Sequence, residues 1–128
     1  MDDTFSEPKS VEDFAAFLIK SRLVHDERVQ EMVERFREAD RLETAASFGD
    51  FLVNHGGITG WQCAKLLAGR WKEFYLDDYV FMDKLGYDQD FAYYRARDMR
   101  DGSIVKLIVT PMAKVKGPKV EYRVERDL

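Results

Sequence analysis

For nucleophilic or metal chemistry the chain offers one cysteine, Cys63, and two histidines, His25 and His55. A thiol attacks only as the thiolate, which needs a nearby base or cation. No base is spaced to activate Cys63, so it reads as a small buried hydrophobe. A single cysteine also excludes an internal disulfide framework, and two isolated histidines make no ligand set of recognisable spacing. His55 follows a helix end, where an imidazole compensates the dipole or sits on the surface. No metal and no cofactor is expected. The remaining chemistry is aromatic: Trp61, Trp71, Phe74 and Tyr75 cluster where two parts of the chain meet. They read first as packing between those parts, and whatever stays exposed is a candidate docking surface for a protein.

The elements that carry these residues are legible in the front half. Ser10 and Asp13 resemble a helix-capping pair, and Phe14, Phe17 and Leu18 share a helical face that ends near Arg22. Val29, Met32, Val33 and Phe36 form the stripe of a second helix, with Asp26 and Glu27 in its first turn, where the dipole favours acids. A third carries Phe48, Phe51 and Leu52 inward and stops at Gly56-Gly57. In the fourth, Thr59 and Gln62 make a capping box. Ile58 and Cys63 are placed as its hydrophobic staple, Leu66 and Leu67 face the core, and Gly69 ends it. Trp61, Gln62 and Lys65 would be the reading face of a helix-turn-helix, but capping explains the same residues.

The periodicity changes after Arg70. "FYLDDYVFMDKLG" and "DFAYYRARD" are rich in aromatic and β-branched residues, "DG" at 101–102 marks a tight turn, and "SIVKLIVTP" reads as a strand closed by Pro111. At the end, Val120, Tyr122 and Val124 alternate as in a strand, while Val120, Val124 and Leu128 share a helical face; both assignments stand. The expected fold is α+β: residues 1–9 a flexible N-terminus, 10–72 a bundle of about four helices, and 73–128 an antiparallel sheet.

Composition narrows the partners. The chain has 128 residues, 45% of them hydrophobic and 13% aromatic, enough for a sizeable core. Net charge is −4, with residues 1–78 at −6 and residues 79–128 at +2. An acidic front half repels nucleic acid, which is not expected as a partner. No apolar run approaches the roughly 20 residues of a membrane helix, and "MDDTFSEPKS" is too polar for a secretory signal, so no membrane association is expected and a cytoplasmic location is the default.

One stretch carries a resemblance. Ile58, Thr59, Gln62, Ala64, Leu66, Leu67, Gly69 and Arg70, followed by Leu76 and Tyr79, are similar to the end of a helical module that precedes the kinase domain in a large group of bacterial serine/threonine protein kinases. Several fixed spacings hold at once, and the looser likeness covers most of the chain. It implies a kinase N-lobe start: Leu85-Gly86 at the entrance of the glycine-rich loop, Arg95-Ala96-Arg97 on the second strand and Val105 to Pro111 on the third. Arg123 to Asp127 would then lie on the following helix.

The departures from that pattern decide the functional expectation. Glycines let backbone amides approach phosphates. Gly86 is present, but Asp88 and Phe91 stand where the second and third glycines would be. Ile108 occupies the place of the phosphate-holding lysine, and its helix partner would be Asp127. Lys106, two residues earlier on the same strand face, takes the position of the small residue that packs on adenine. The resemblance therefore implies a degenerate nucleotide site at Gly86, Asp88, Phe91, Lys106, Ile108 and Asp127, to which ATP is not expected to bind. The chain is expected to be no enzyme. It reads as a regulatory or scaffolding module working through protein partners, a second copy among them. The alternative is the N-terminal piece of a longer bacterial serine/threonine kinase, an ATP-dependent phosphotransferase.

Overall fold

The computed structural model describes residues 6–111 and 120–126. It has four helices followed by five strands, α+β as expected, and divides into two compact units after Phe74.

The helices are α1 (Val11–Ser21), α2 (Asp26–Glu38), α3 (Ala45–Asn54) and α4 (Gly60–Leu67). Both anticipated capping boxes form. The Asp13 N–H donates to Ser10 Oγ at 3.1 Å, and its carboxylate accepts in return from the N–H groups of Ser10 and Lys9. On α4 the Gln62 N–H donates to Thr59 Oγ1 at 3.1 Å, and the Thr59 N–H donates to Gln62 Oε1 at 3.0 Å. The two glycine stops also work as expected. Gly56 and Gly69 take positive φ (75° and 78°), and the next residue's N–H folds back, from Gly57 to the Leu52 carbonyl and from Arg70 to the Lys65 carbonyl. That is the paired C-terminal bond of a Schellman motif, which a residue with a Cβ closes less easily.

The stripes meet in an aromatic core. Phe14 and Phe48, Phe48 and Phe36, and Phe36 and Phe51 contact one another edge-on at 5.8, 5.2 and 5.5 Å between ring centroids. Val29, Met32, Val33, Leu18, Leu52 and Leu66 complete it. Gly49 is the contact the sequence did not announce: a Cβ there would lie 2.6 Å from Cys63 Sγ and 3.2 Å from the Phe14 ring. The helices come this close because position 49 has no side chain. At the chain's start Pro8 is buried, and the Lys9 carbonyl accepts from the Ala45 N–H at 3.4 Å, so residues 8 and 9 are tied to the helices.

The strands are β1 (Tyr75–Leu76), β2 (Tyr79–Tyr87), β3 (Ala92–Asp98), β4 (Ile104–Val109) and β5 (Tyr122–Glu125), all antiparallel and paired in chain order. Two register shifts in β2, between Phe81 and Asp83 and between Lys84 and Gly86, mark irregularities in its pairing with β3. Residues 123–125 are strand, which corrects the helix implied there and resolves the open assignment of the last segment. Tyr122 and Val124 are half-buried and the residues between and after them exposed, the period of two that a strand with one covered face requires. Asp127 lies outside the described residues.

The sheet cannot be flat. β2 and β5 are three strand spacings apart, roughly 14 Å in a flat sheet, yet the rings of Tyr79 and Tyr122 lie 5.9 Å apart, edge to face. The meander curls around its own core of Tyr79, Ala96, Val105 and Leu107, with Phe81, Tyr94, Val109, Tyr122 and Val124 packed against it.

Two polar contacts hold the curl. Tyr122 Oη donates to Asp77 Oδ2 at 2.5 Å. Arg126 Nη2 donates to Asp98 Oδ2 at 2.9 Å and to Tyr79 Oη at 3.3 Å. Asp98 is the one charged residue in the described core, and it is fully engaged: Arg100 gives it a main-chain bond and a two-nitrogen guanidinium grip, and Arg126 adds another. The Arg100 bonds first, then Arg126, hold its carboxyl far below the usual carboxylate range.

Candidate functional site

The hairpin joining β2 to β3 is the segment that the kinase resemblance aligns with a glycine-rich loop. Its backbone is organised by a side chain. Asp88 Oδ1 accepts from the N–H groups of Asp90 and Phe91, both at 2.8 Å, and Oδ2 accepts from Tyr93 Oη at 2.7 Å. The Asp88 N–H closes the turn onto the Phe91 carbonyl at 2.8 Å. In a phosphate loop, successive amides point at the ligand's oxygens. Here two amides are held by a carboxylate of the chain itself. The same bond, with burial and the Asp88 charge behind it, pushes the Tyr93 phenol up, so Tyr93 stays a neutral donor. Gly86 has nothing within 4 Å of where a Cβ would stand, so no close approach requires glycine there.

The strand positions are equally committed. Pairing places Lys106 beside Arg95 and Glu125, and Ile108 beside Tyr93 and Arg123, on the sheet face opposite the core. Lys106 and Ile108 thus share a face, as their spacing predicts. Lys106 Nζ sits 5.1 Å from the Tyr93 ring centroid and 4.0 Å from Glu125 Oε1. Ile108 is buried. Alongside them Arg95 Nε donates to Asp83 Oδ2 at 2.8 Å, and the Arg123 guanidinium lies 5.4 Å from the Phe91 ring. The row is an alternation of charges and rings that satisfy one another. Among the described residues, no group of three or more His, Cys, Asp or Glu could hold a metal ion.

The aromatic residues divide. Phe74 is fully buried and takes no part in an exposed face, and Trp61 meets it edge-on at 6.1 Å. An all-carbon ring gains more from the core than an indole whose N–H needs a partner. Trp61 and Trp71 are half-buried, and Tyr75 belongs to β1, where it is 38% exposed. Both tryptophans carry cations. Lys65 Nζ lies 5.5 Å from the Trp61 ring, while Lys20 Nζ and Lys72 Nζ lie 5.5 and 5.1 Å from the Trp71 ring. Glu73 accepts from Lys65 Nζ and Arg70 Nη1, each at 2.9 Å. Burial pushes the Glu73 carboxyl up, but these bonds outweigh it and hold it below its ordinary value. Sequence reasoning found the tryptophans and Lys65 and missed Lys20 and Lys72. Lys20 lies about fifty positions from Trp71, and only the packing of α1 brings it there.

Cys63 is buried, and desolvation, then the nearby Asp50 charge, pushes its thiol up, the opposite of a nucleophile's environment. His55 caps α3 with its ring 4.2 Å from Phe51. No family model, curated protein or solved structure matches the chain. Among the described residues, no helix is long and apolar enough to cross a membrane.

Proposed function

We propose that this chain is a non-catalytic regulatory or scaffolding module of serine/threonine-kinase-like origin that acts in the cytoplasm by docking other proteins. The observation that carries the reading is the Asp88 carboxylate, which accepts both amides of the hairpin that would otherwise face a phosphate. A triphosphate placed there meets a fixed negative charge and amides already spent. Ile108 adds no charge, and Lys106 is engaged by Glu125 and Tyr93. Phosphoryl transfer depends on positioning and charge stabilisation, and these positions supply neither. The surface offered to partners in this reading is the half-exposed tryptophan face of the helical unit.

Thermal unfolding with and without millimolar Mg-ATP tests the reading. A ligand at a hundred times its dissociation constant stabilises the folded state by about 2.7 kcal/mol. The expected outcome is an unchanged midpoint; a clear rise overturns the assignment of a degenerate site.

A further inference from the structure

The docking surface has a sign. Residues 1–57 carry a net charge of −6, whereas residues 58–74 carry +2. That basic stretch holds both tryptophans, and Lys20 from α1 adds a further positive charge beside Trp71. The cations there are in two conditions. Lys65 and Arg70 share the Glu73 carboxylate. Among the described residues, Lys20 and Lys72 pair with no carboxylate; each rests on a ring instead, Lys20 on Phe17 and Trp71, Lys72 on Trp71. A half-buried indole with two ammonium groups over its ring sets positive charge directly against an apolar surface. Tryptophan is among the residues that most often anchor protein contacts.

We infer that Trp71, with Lys20 and Lys72, binds a short acidic segment of a partner protein, its carboxylates meeting the two ammonium groups and an apolar side chain packing beside the indole. This inference rests on the protein-docking reading and adds the chemistry of the partner. Glu73 displays the bond on a small scale, a carboxylate held between two cations of the same stretch. A long polyanion is disfavoured because it would run past the patch onto the acidic helices, where like charges repel it. A segment of a few residues touches only the patch.

The test uses the full chain, nuclear magnetic resonance and two synthetic peptides. One peptide carries adjacent glutamates and a phenylalanine; the other is the same with lysines for glutamates. The acidic peptide is expected to shift the resonances of Lys20, Trp71 and Lys72. Its affinity should fall about tenfold in Lys20→Gln/Lys72→Gln and fall again with added salt, as two exposed charge contacts require. Both lysines are exposed, so the double variant is expected to fold. Absence of those shifts, or affinity unchanged in the double variant, overturns the inference. If the basic peptide alone binds at Trp71, the acidic partner is wrong and the docking reading survives. If phosphatidylserine vesicles or a single-stranded oligonucleotide bind there and neither peptide does, both fall.

Discussion

Tyr122 carries a pH signature in the alkaline range. Its neutral phenol donates to the Asp77 carboxylate, and that bond, with burial and the Asp77 charge, pushes its pKa up to about 12. An unperturbed tyrosine ionises near ~10. The folded-state value is the raised one, so the bond's stabilisation is fully present below the ordinary value. It is lost as pH climbs toward the folded one. Ultraviolet titration of phenolate absorption should find a late phase, to which the raised Tyr93 also contributes, in the range where thermal stability declines. Tyr122→Phe should shrink that late phase by one phenol and flatten the alkaline decline; a late phase of unchanged amplitude assigns it to other tyrosines. The sequence gives no warning of this pair, because Asp77 and Tyr122 are 45 positions apart and meet only through the curl.

Single elements are where the sequence spoke most plainly. The α4 cap was visible because its chemistry is local: two side chains three residues apart exchange bonds with each other's main chain, and nothing distant has to cooperate. Thr59→Ala should therefore cost about 1 kcal/mol, the usual loss for an N-cap, read as a lowered denaturation midpoint with unchanged slope. An unaltered midpoint would mean that the helix does not depend on Thr59. The helix ends at Gly56 and Gly69 were legible for the same reason. The last strand was not, since apolar residues at 120, 122 and 124 suit a strand and those at 120, 124 and 128 a helix until a neighbouring strand chooses. β4 chooses, pairing Leu107 with Val124 and Val109 with Tyr122. The hairpin lay between these cases. Its flanking strands were legible from their aromatic and β-branched residues, but that one carboxylate would hold two amides needed the fold to be seen.

At the scale of the molecule, class and order of elements followed from periodicity, while burial of particular residues did not. Phe74 and Trp71 are three residues apart and equally hydrophobic on paper, yet one is wholly enclosed and the other half open. Packing distributes such residues according to shape and to the indole's need for a polar neighbour. The same separation governs the docking surface: composition showed an acidic front half, and only the packed helices gather a positive patch at its end.

The sheet pairs every strand with its neighbour in sequence, and the first three pairings close short loops at little entropic cost. The exception is the junction of the two ends, where Arg126 reaches Tyr79 across 47 positions. A chain that zips its hairpins first makes this contact last, after the rate-limiting step. Arg126→Ala should then hasten unfolding while leaving the refolding rate nearly unchanged, a stopped-flow result opposite to that of a nucleus residue. In that case the clasp between the first long strand and the last sets how long the folded sheet survives, and has little say in how quickly it is made.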